Sequence, residues 1–190
     1  VPVVLGGMEA SMRRVAHYDY WEDKLKPSIM ADAKADVLVY GMGEVAVREI
    51  VKRLREGRRD FSGIRGTALF LGGKATAAAD FSDCIILPSW EELQADKTHL
   101  MRLTKVVEAQ QTPHSGKRLV QMHGNRAVLQ EAPEFPVDGP DLDALYELPF
   151  MRLAHPSYTE PVPGFASSRE SFTRWASPPE SCGAGWPSVT

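Results

Sequence analysis

The stretch "ADVLVYGMGEVAVREIVKRLREG", residues 35–57, carries the strongest structural signal in this sequence. A short, largely β-branched apolar run ends at Gly41, which is typical of a strand buried on both faces of a parallel sheet. Beyond it, apolar residues recur at helical spacing, at Val47, Ile50, Val51 and Leu54. Gly57 is placed to end that helix. The stretch therefore predicts a strand, a glycine turn and an amphipathic helix.

The N-terminal residues repeat this pattern. The run "VPVVLGG", residues 1–7, predicts a second buried strand that also ends at glycines. Between the two strands, Ser28 is placed to cap a short helix through residues 29–35. Residues 1–57 thus predict an α/β fold with a Rossmann-like parallel sheet.

The order of elements changes after residue 57. Residues 64–72 and 83–89 predict two strands, and the small residues between them, "GKATAAAD", predict a loop or an edge hairpin. Ser89 and Glu92 have the spacing of a capping box for one long helix that stops before Pro113.

A hairpin and a proline-rich connector follow. Residues 118–133 alternate around "HGNR", which predicts a β-hairpin. We therefore expect a truncated Rossmann-like domain at 1–133, with an inserted helix and hairpin. An extended linker at 134–164, with one short helical turn near "LDALYEL", and a disordered tail at 165–190 complete the predicted organisation.

Composition limits the function classes. The 190 residues are 43% hydrophobic and 25% charged, and the net charge of −3 offers no basic field for nucleic acid. No apolar run reaches the roughly 20 residues of a membrane-spanning helix, so we expect a cytoplasmic protein. Cys84 and Cys182 lack the spacing of a zinc site, and Cys84 is expected to be a buried, inert thiol.

The two glycine turns are the first candidate site. Ligands of doubly wound sheets bind beyond the carboxyl ends of the strands, where Gly6, Gly7, Gly41 and Gly43 are expected to lie. "YGMGE" lacks the third glycine of a dinucleotide fingerprint, and Glu44 would repel a phosphate there. The alternative is structural: the glycines permit tight turns and Glu44 complements the helix dipole.

The polar cluster "AHYDYWEDK", residues 16–24, is the second candidate. It fits a surface loop whose aromatic residues pack under a neighbouring domain, or a loop that contacts a ligand at the strand ends. His17, Asp19 and Asp23 suit a divalent metal, but one loop without a partner is a weak metal signal. The remaining histidines do not suggest a catalytic triad.

These blocks carry a family resemblance. "VVLGGMEASMRRVAHYDYWEDKLKPSIMADAKADVLVYGMGE", followed by "IRGTA", "LPSWEE", "LYELPFMRLAHPSY" and "EPVPG", resembles the N-terminal portion of the YgiQ-type radical SAM proteins. The likeness covers about residues 1 to 164. More loosely, the pattern is similar to cobalamin-binding-like domains that precede radical SAM barrels. The D-x-H-x-x-G motif of cobalt-ligating domains is missing, so bound cobalamin is not expected.

The resemblance implies cofactors that lie outside this sequence. In that family a barrel opens with R-G-C-x-x-x-C-x-x-C, whose three thiolates hold a [4Fe-4S] cluster that binds S-adenosylmethionine. Here Cys182 stands alone in that region, so no cofactor is expected in this chain, and the cluster and S-adenosylmethionine are implied for a longer parent. The tail's composition also suggests a shifted reading frame, and both ends suggest a fragment.

The resemblance and the residues together define the predictions for the site. The expected partners are the missing barrel of the same polypeptide and an unknown substrate, with no nucleic acid and no membrane. The G-G-x-E-A-S-x-R-R block, the polar cluster and the second glycine turn supply the ligand-edge candidates Gly6, Gly7, Glu9, Ser11, Arg13, His17, Tyr18, Asp19, Tyr20, Gly41, Gly43 and Glu44. No catalytic residue and no metal ligand is assigned.

Two functional classes follow. The first is an accessory, Rossmann-like half of a radical SAM enzyme, inactive by itself, that contributes substrate access or barrel packing. The second is a stand-alone, non-catalytic domain that binds a ligand or a partner.

Overall fold

A computed structural model describes residues 2–149 and residue 157. Its main element is a six-stranded sheet with helices on both faces, and a separate two-stranded sheet accompanies it. The strands are β1 (Val4–Leu5), β2 (His17–Asp19), β3 (Lys24–Lys26), β4 (Val37–Val39), β5 (Thr67–Leu71), β6 (Ile85–Ile86), β7 (Leu119–His123) and β8 (Arg126–Gln130). The helices are α1 (Met8–Met12), α2 (Ile29–Ala33), α3 (Glu44–Arg55), α4 (Gly73–Ala78), α5 (Trp90–Ala95), α6 (His99–Ala109) and α7 (Gly139–Tyr146).

The strands of the large sheet lie in the order β1-β4-β5-β8-β7-β6. β1 pairs parallel with β4, and β6 pairs parallel with β7. The four central strands, β4, β5, β8 and β7, pair antiparallel. β2 and β3 form the small antiparallel sheet. The α/β class is therefore confirmed, with parallel pairing at both ends of the sheet and an antiparallel centre.

Two hydrophobic layers enclose the sheet. On one face, α3 packs Ala46 and Ile50 against Val37, Val39 and Leu69. On the other face, α1 and α2 cover Leu38, Tyr40, Ala68 and Val128, and α5 and α6 cover Leu119. Alternate residues of β4 enter opposite layers because successive side chains of a strand point to opposite faces.

The segment that follows α1 crosses the second face of the sheet. Arg14 Nε donates to Gln130 Oε1 at 2.8 Å, and the backbone N–H of Ala16 donates to Gln121 Oε1 at 2.7 Å. Both glutamines are buried. Since unpaired buried amides are costly, these bonds fix the path of the segment over β8 and β7.

Several sequence predictions are confirmed by the local geometry. The Ser28 side chain accepts a hydrogen bond from the N–H of Met30 and caps α2. Ser89 and Glu92 form the predicted capping box at the start of α5. The hairpin β7–β8 turns at Gly124, whose φ of 61° lies in the left-handed region.

Other expectations are corrected. The predicted loop "GKATAAAD" contains α4, because alanines favour a helix even without apolar periodicity. The single long helix after Ser89 is two helices, since the Asp96 side chain accepts a hydrogen bond from Thr98 and interrupts it. In α3, Val47 and Val51 are exposed, and the neighbouring stripe of Ala46 and Ile50 faces the sheet.

The predicted linker is described in part. Residues 2–141 belong to one compact unit, and the described residues from 142 onward lie outside it. The predicted helical turn near "LDALYEL" corresponds to α7. The predicted disordered tail, residues 165–190, lies outside the described residues. None of the helices in the described part of the chain has the length and hydropathy to cross a bilayer.

Candidate functional site

The two glycine turns lie side by side, as expected for parallel neighbours. β1 ends at Leu5 and β4 ends at Val39, and the two strands are paired in register at Leu5 and Leu38. Gly7 has a φ of 90° at the start of α1, and Gly41 has a φ of 69° just after β4. A Cβ atom added at Gly41 would meet no atom within 4 Å. The backbone there therefore faces open space, although its conformation disfavours side chains other than glycine.

A cavity of about 610 Å³ opens at this edge of the sheet. Its walls come from α1, from the end of β4, and from the segments that follow α6 and β8. It is lined by Met8, Ser11, Met12, Arg14, Tyr40, Gly41, Met42, Gln111, Pro113, Pro133, Glu134 and Pro136. This size is within the range of small-molecule sites, which is roughly 300–1,000 Å³.

Arg14 is the buried cation of this cavity. Its side chain is 8% exposed, and its guanidinium lies 4.7 Å from the centre of the Tyr40 ring. Nε donates to Gln130 Oε1, and Nη1 donates to the carbonyl of Ser11 in the last turn of α1. Burial lowers the pKa of Arg14 from its ordinary value, but an arginine stays protonated at neutral pH. A full positive charge is thus held at the cavity wall.

Tyr40 anchors the floor under Arg14. Its hydroxyl donates to the carbonyl of Glu131 at 2.5 Å and lies 3.3 Å from Gln130 Nε2, which donates to it. Burial raises the pKa of Tyr40 to about 12, so the phenol is neutral and keeps its proton for Glu131. Two hydrogen bonds therefore hold the hydroxyl of Tyr40, and the guanidinium of Arg14 lies over its ring.

Arg65 fixes another part of the wall. Its Nη2 donates to the carbonyls of Pro113 at 2.7 Å and Pro133 at 2.5 Å, which belong to two segments lining the cavity. Its guanidinium lies 4.3 Å from the centre of the Phe135 ring. One side chain thus ties two proline-containing segments together without entering the cavity lining.

The polar cluster 16–24 forms the β2–β3 hairpin and satisfies its own charges. Asp19 is buried, lies 3.1 Å from Lys26 Nζ, and accepts hydrogen bonds from the N–H groups of Trp21 and Glu22. The bond from Lys26, with the backbone bonds, lowers the pKa of Asp19 below its ordinary value. The Tyr18 hydroxyl donates to Asp23. The hairpin is therefore a closed network of polar contacts.

His17 is the exception within the hairpin. Its Nδ1 lies 3.3 Å from the carbonyl of Val15, and its Nε2 is buried without a hydrogen-bond partner among the described residues. Burial lowers the pKa of His17, which favours the neutral imidazole. No residue of the hairpin lines the cavity.

The other predicted residues fall into two groups. Ser11 and Gly41 line the cavity, and the Ser11 hydroxyl donates to the carbonyl of Gly7 at 2.8 Å. Glu9 and Arg13 form an ion pair of 3.2 Å along α1. The candidates outside the cavity lining are Gly6, Gly7, Glu9, Arg13, His17, Tyr18, Asp19, Tyr20, Gly43 and Glu44.

Arg14, Tyr40 and Gln130 were missed as site residues. Arg13 and Arg14 are adjacent and chemically identical, and the segment after α1 has no periodicity that reveals which one points inward. The deciding partner, Gln130, lies 116 residues away. The sequence did offer one signal for Tyr40, because this residue stands directly before the glycine turn.

The described residues do not fit a metal or an iron–sulfur cluster. No group of three or more histidine, cysteine, aspartate or glutamate side chains is arranged for a metal within residues 2–149 and 157. Cys84 is half-buried, and its pKa is raised to about 11, mainly by burial. The whole sequence has two cysteines, whereas three thiolates are needed for a cluster of the radical SAM type.

Comparison with known proteins gives the family. A family model described as Radical SAM N-terminal matches residues 1–171. The chain belongs to the radical SAM N-terminal family, as its motifs indicated. No solved structure matches the chain.

Three relatives that carry the name UPF0313 show how much of a longer protein this chain covers. One from Geobacter sulfurreducens is 45% identical over 175 residues, which cover 91% of this chain and 28% of that protein. One from Methanocella arvoryzae is 42% identical over 175 residues, with the same coverage. One from Methanosarcina acetivorans is 41% identical over 196 residues, covering 91% of this chain and 26% of that protein. The chain spans little more than a quarter of the length of these relatives.

Proposed function

We propose that this chain is the N-terminal accessory domain of a cytoplasmic radical SAM enzyme whose [4Fe-4S] cluster is held by cysteines outside this sequence. The family match over residues 1–171 carries the proposal. Two further facts support it: the relatives extend far beyond the matched region, and Cys84, half-buried with a raised pKa, is a poor thiolate ligand. The substrate and the radical chemistry would belong to the remainder of the polypeptide.

Cluster loading tests the proposal. The full-length Geobacter relative and this chain are each reconstituted anaerobically with iron and sulfide. We expect about four iron atoms per full-length protein, cleavage of S-adenosylmethionine to 5′-deoxyadenosine, and no stoichiometric iron in the 190-residue chain. An iron-free full-length relative, or a cluster in this chain alone, would contradict the proposal.

The accessory role requires contact with the rest of the polypeptide. We propose that the exposed edge at the glycine turns makes this contact, because Met8 and Met12 of α1 are 81% and 70% exposed there. The remainder of the Geobacter relative, without the region matched by this chain, is co-expressed with the chain. We expect co-elution in size-exclusion chromatography.

Matched variants locate the contact. Met8→Asp places a charge at the edge, whereas Met101→Asp places one on α6 at a methionine that is 64% exposed. Loss of co-elution with Met8→Asp alone supports packing through this edge. Equal behaviour of the two variants would contradict it.

The alternative is a stand-alone, non-catalytic ligand-binding domain. One observation favours it: every residue lining the cavity lies between Met8 and Pro136, within the first unit of the chain. A chain that binds a small molecule by itself and never co-elutes with the remainder would support this alternative over the accessory role.

A further inference from the structure

The charge of Arg14 has no counter-ion in the described residues. The side chain is 8% exposed, and none of the described carboxylates lies within ion-pair distance of it. Its two hydrogen bonds go to a neutral amide and a backbone carbonyl. Because a guanidinium has five N–H donors, donors remain for another acceptor. A buried cation without an anion is costly, and in a cavity wall it marks a place for one.

The guanidinium is also fixed before any ligand arrives. Gln130 and Ser11 hold its Nε and Nη1, and the Tyr40 ring lies beneath it at 4.7 Å. Tyr40 itself is bonded to the carbonyl of Glu131. With Nε and Nη1 already donating to the protein, Nη2 is the nitrogen left to donate a charge-assisted hydrogen bond to a carboxylate oxygen. Little side-chain entropy is lost on binding to such a group.

The rest of the cavity is largely apolar. Met8, Met12 and Met42 line it with thioether side chains, and Pro113 and Pro133 line it on the other walls. Methionines adapt their shape and make favourable contacts with aromatic rings. The space above Gly41 is open to a ligand as well.

We propose that this cavity binds a small organic molecule that carries one carboxylate. The carboxylate pairs with Arg14, and the apolar or aromatic body lies against Met8, Met12 and Met42. Glu134 also lines the cavity and repels anions in proportion to their charge, so a ligand with a single carboxylate is favoured over a polyanion such as pyrophosphate. This inference concerns binding by the isolated chain, in which Met8 and Met12 are not covered by a remainder of the polypeptide, and it does not depend on radical chemistry.

A matched pair of probes tests the inference. The isotope-labelled 190-residue chain is titrated at millimolar concentrations with benzoate and, separately, with benzamide, which has the same shape without the charge. Proton–nitrogen correlation spectra should show shifts at Gly41, Met42 and Arg14 with benzoate. We expect benzamide to bind about tenfold more weakly or worse, because a charge-assisted pair is lost. Equal shifts with both probes, or no shifts at these residues with benzoate, would overturn the proposal.

A second arm does not depend on the folding of an Arg14 variant. Met12→Glu adds a negative charge at an exposed position of the cavity wall, and Met101→Glu adds the same charge on α6. We expect Met12→Glu to weaken benzoate binding about tenfold and Met101→Glu to leave it unchanged. If both variants bind benzoate as the unmodified chain does, the carboxylate does not lie in this cavity.

Discussion

The two adjacent arginines after α1 belong to regions with opposite character. Arg13 joins the hairpin network, where it lies 3.2 Å from Glu9 and 3.7 Å from Asp19. Arg14 lines the cavity, where none of the described carboxylates lies within ion-pair distance of it. The hairpin has many charges that pair with one another, whereas the cavity lining has one arginine and one glutamate, Arg14 and Glu134, that form no ion pair among the described residues.

This difference separates structural from available polar groups. A dense polar cluster in a sequence attracts attention, yet Asp19, Lys26 and Glu22 already satisfy one another. A buried charge without an oppositely charged partner is more informative. Because such a charge does not stabilise the fold, it points to a role other than stability. Substitutions at the two arginines and at their neighbours test this contrast.

The largest effect is expected from Arg14→Ala. The change removes the stem that packs on Tyr40 and leaves the buried Oε1 of Gln130 without its donor. We expect a loss of about 2–3 kcal/mol in the free energy of unfolding, measured by urea denaturation. Arg14→Met keeps much of the packing and removes the charge, but it also leaves Gln130 Oε1 without its donor, so we expect a smaller loss than for Arg14→Ala. A loss as large as that of Arg14→Ala would show that the hydrogen bonds and charge of the guanidinium, and not the packing of its stem, stabilise the fold.

A smaller effect is expected from Tyr40→Phe. It removes the hydroxyl that bonds Glu131 and Gln130, at a cost of about 1–2 kcal/mol at neutral pH. The pKa of Tyr40 is raised from 10.0 to about 12 in the folded protein. The hydroxyl's contribution is therefore complete below pH 10 and is lost as the pH rises through about 12.

The pH dependence gives this prediction its control. Urea denaturation at increasing pH should show the unmodified chain and Tyr40→Phe converging above pH 10. If the difference in the free energy of unfolding between the two proteins stays constant over this pH range, the pKa of Tyr40 is not raised by folding.

In the hairpin, Asp19→Asn should have a smaller effect than Tyr40→Phe at neutral pH, because the amide oxygen still accepts from Trp21 and Glu22. The pKa of Asp19 is lowered by Lys26 and by these backbone bonds. Its charged form therefore stabilises the fold above the ordinary pKa of 3.8, and this contribution is lost as the pH falls through the folded-state value. Thermal melts of both proteins should converge in acid, and parallel curves would show that Asp19 is not linked to folding.

The smallest effect is expected from Arg13→Ala. Its ion pair with Glu9 is a surface pair, and Asp19 keeps Lys26 when Arg13 is removed. We expect a change of less than about 1 kcal/mol in urea denaturation. A loss equal to that of Arg14→Ala would remove the distinction between the two regions.

Local patterns predicted the fold well where short-range physics decides it. The run before Gly41, the helical spacing of residues 44–55 and the hairpin at Gly124 are all found in the structure. The buried face of α3 could not be predicted from spacing alone, because the helix has two neighbouring apolar stripes. One contains Ala46 and Ile50, the other contains Val47 and Val51, and packing against the sheet buries the first. α4 was missed because its alanines lack a periodic pattern.

The cavity lies at the edge of the sheet that the glycine turns indicated, but Arg14 was not among the predicted residues. Gly41 and Ser11 line the cavity, whereas Arg14 becomes buried only because Gln130 of β8 meets it across the sheet. Such a contact between distant residues has no local signature. The hairpin drew attention for its polar residues, and its network could not be known before β2 and β3 were paired.

The most direct test of the contrast follows the two arginines in one experiment. Benzoate is added to the isotope-labelled 190-residue chain, and the side-chain Nε–H resonances of Arg13 and Arg14 are recorded, with an Arg13→Lys variant to assign them. We expect the Arg14 resonance to shift and to saturate, and the Arg13 resonance to stay unchanged. A shift at Arg13, or equal changes at both arginines, would show that benzoate does not bind selectively at the buried Arg14.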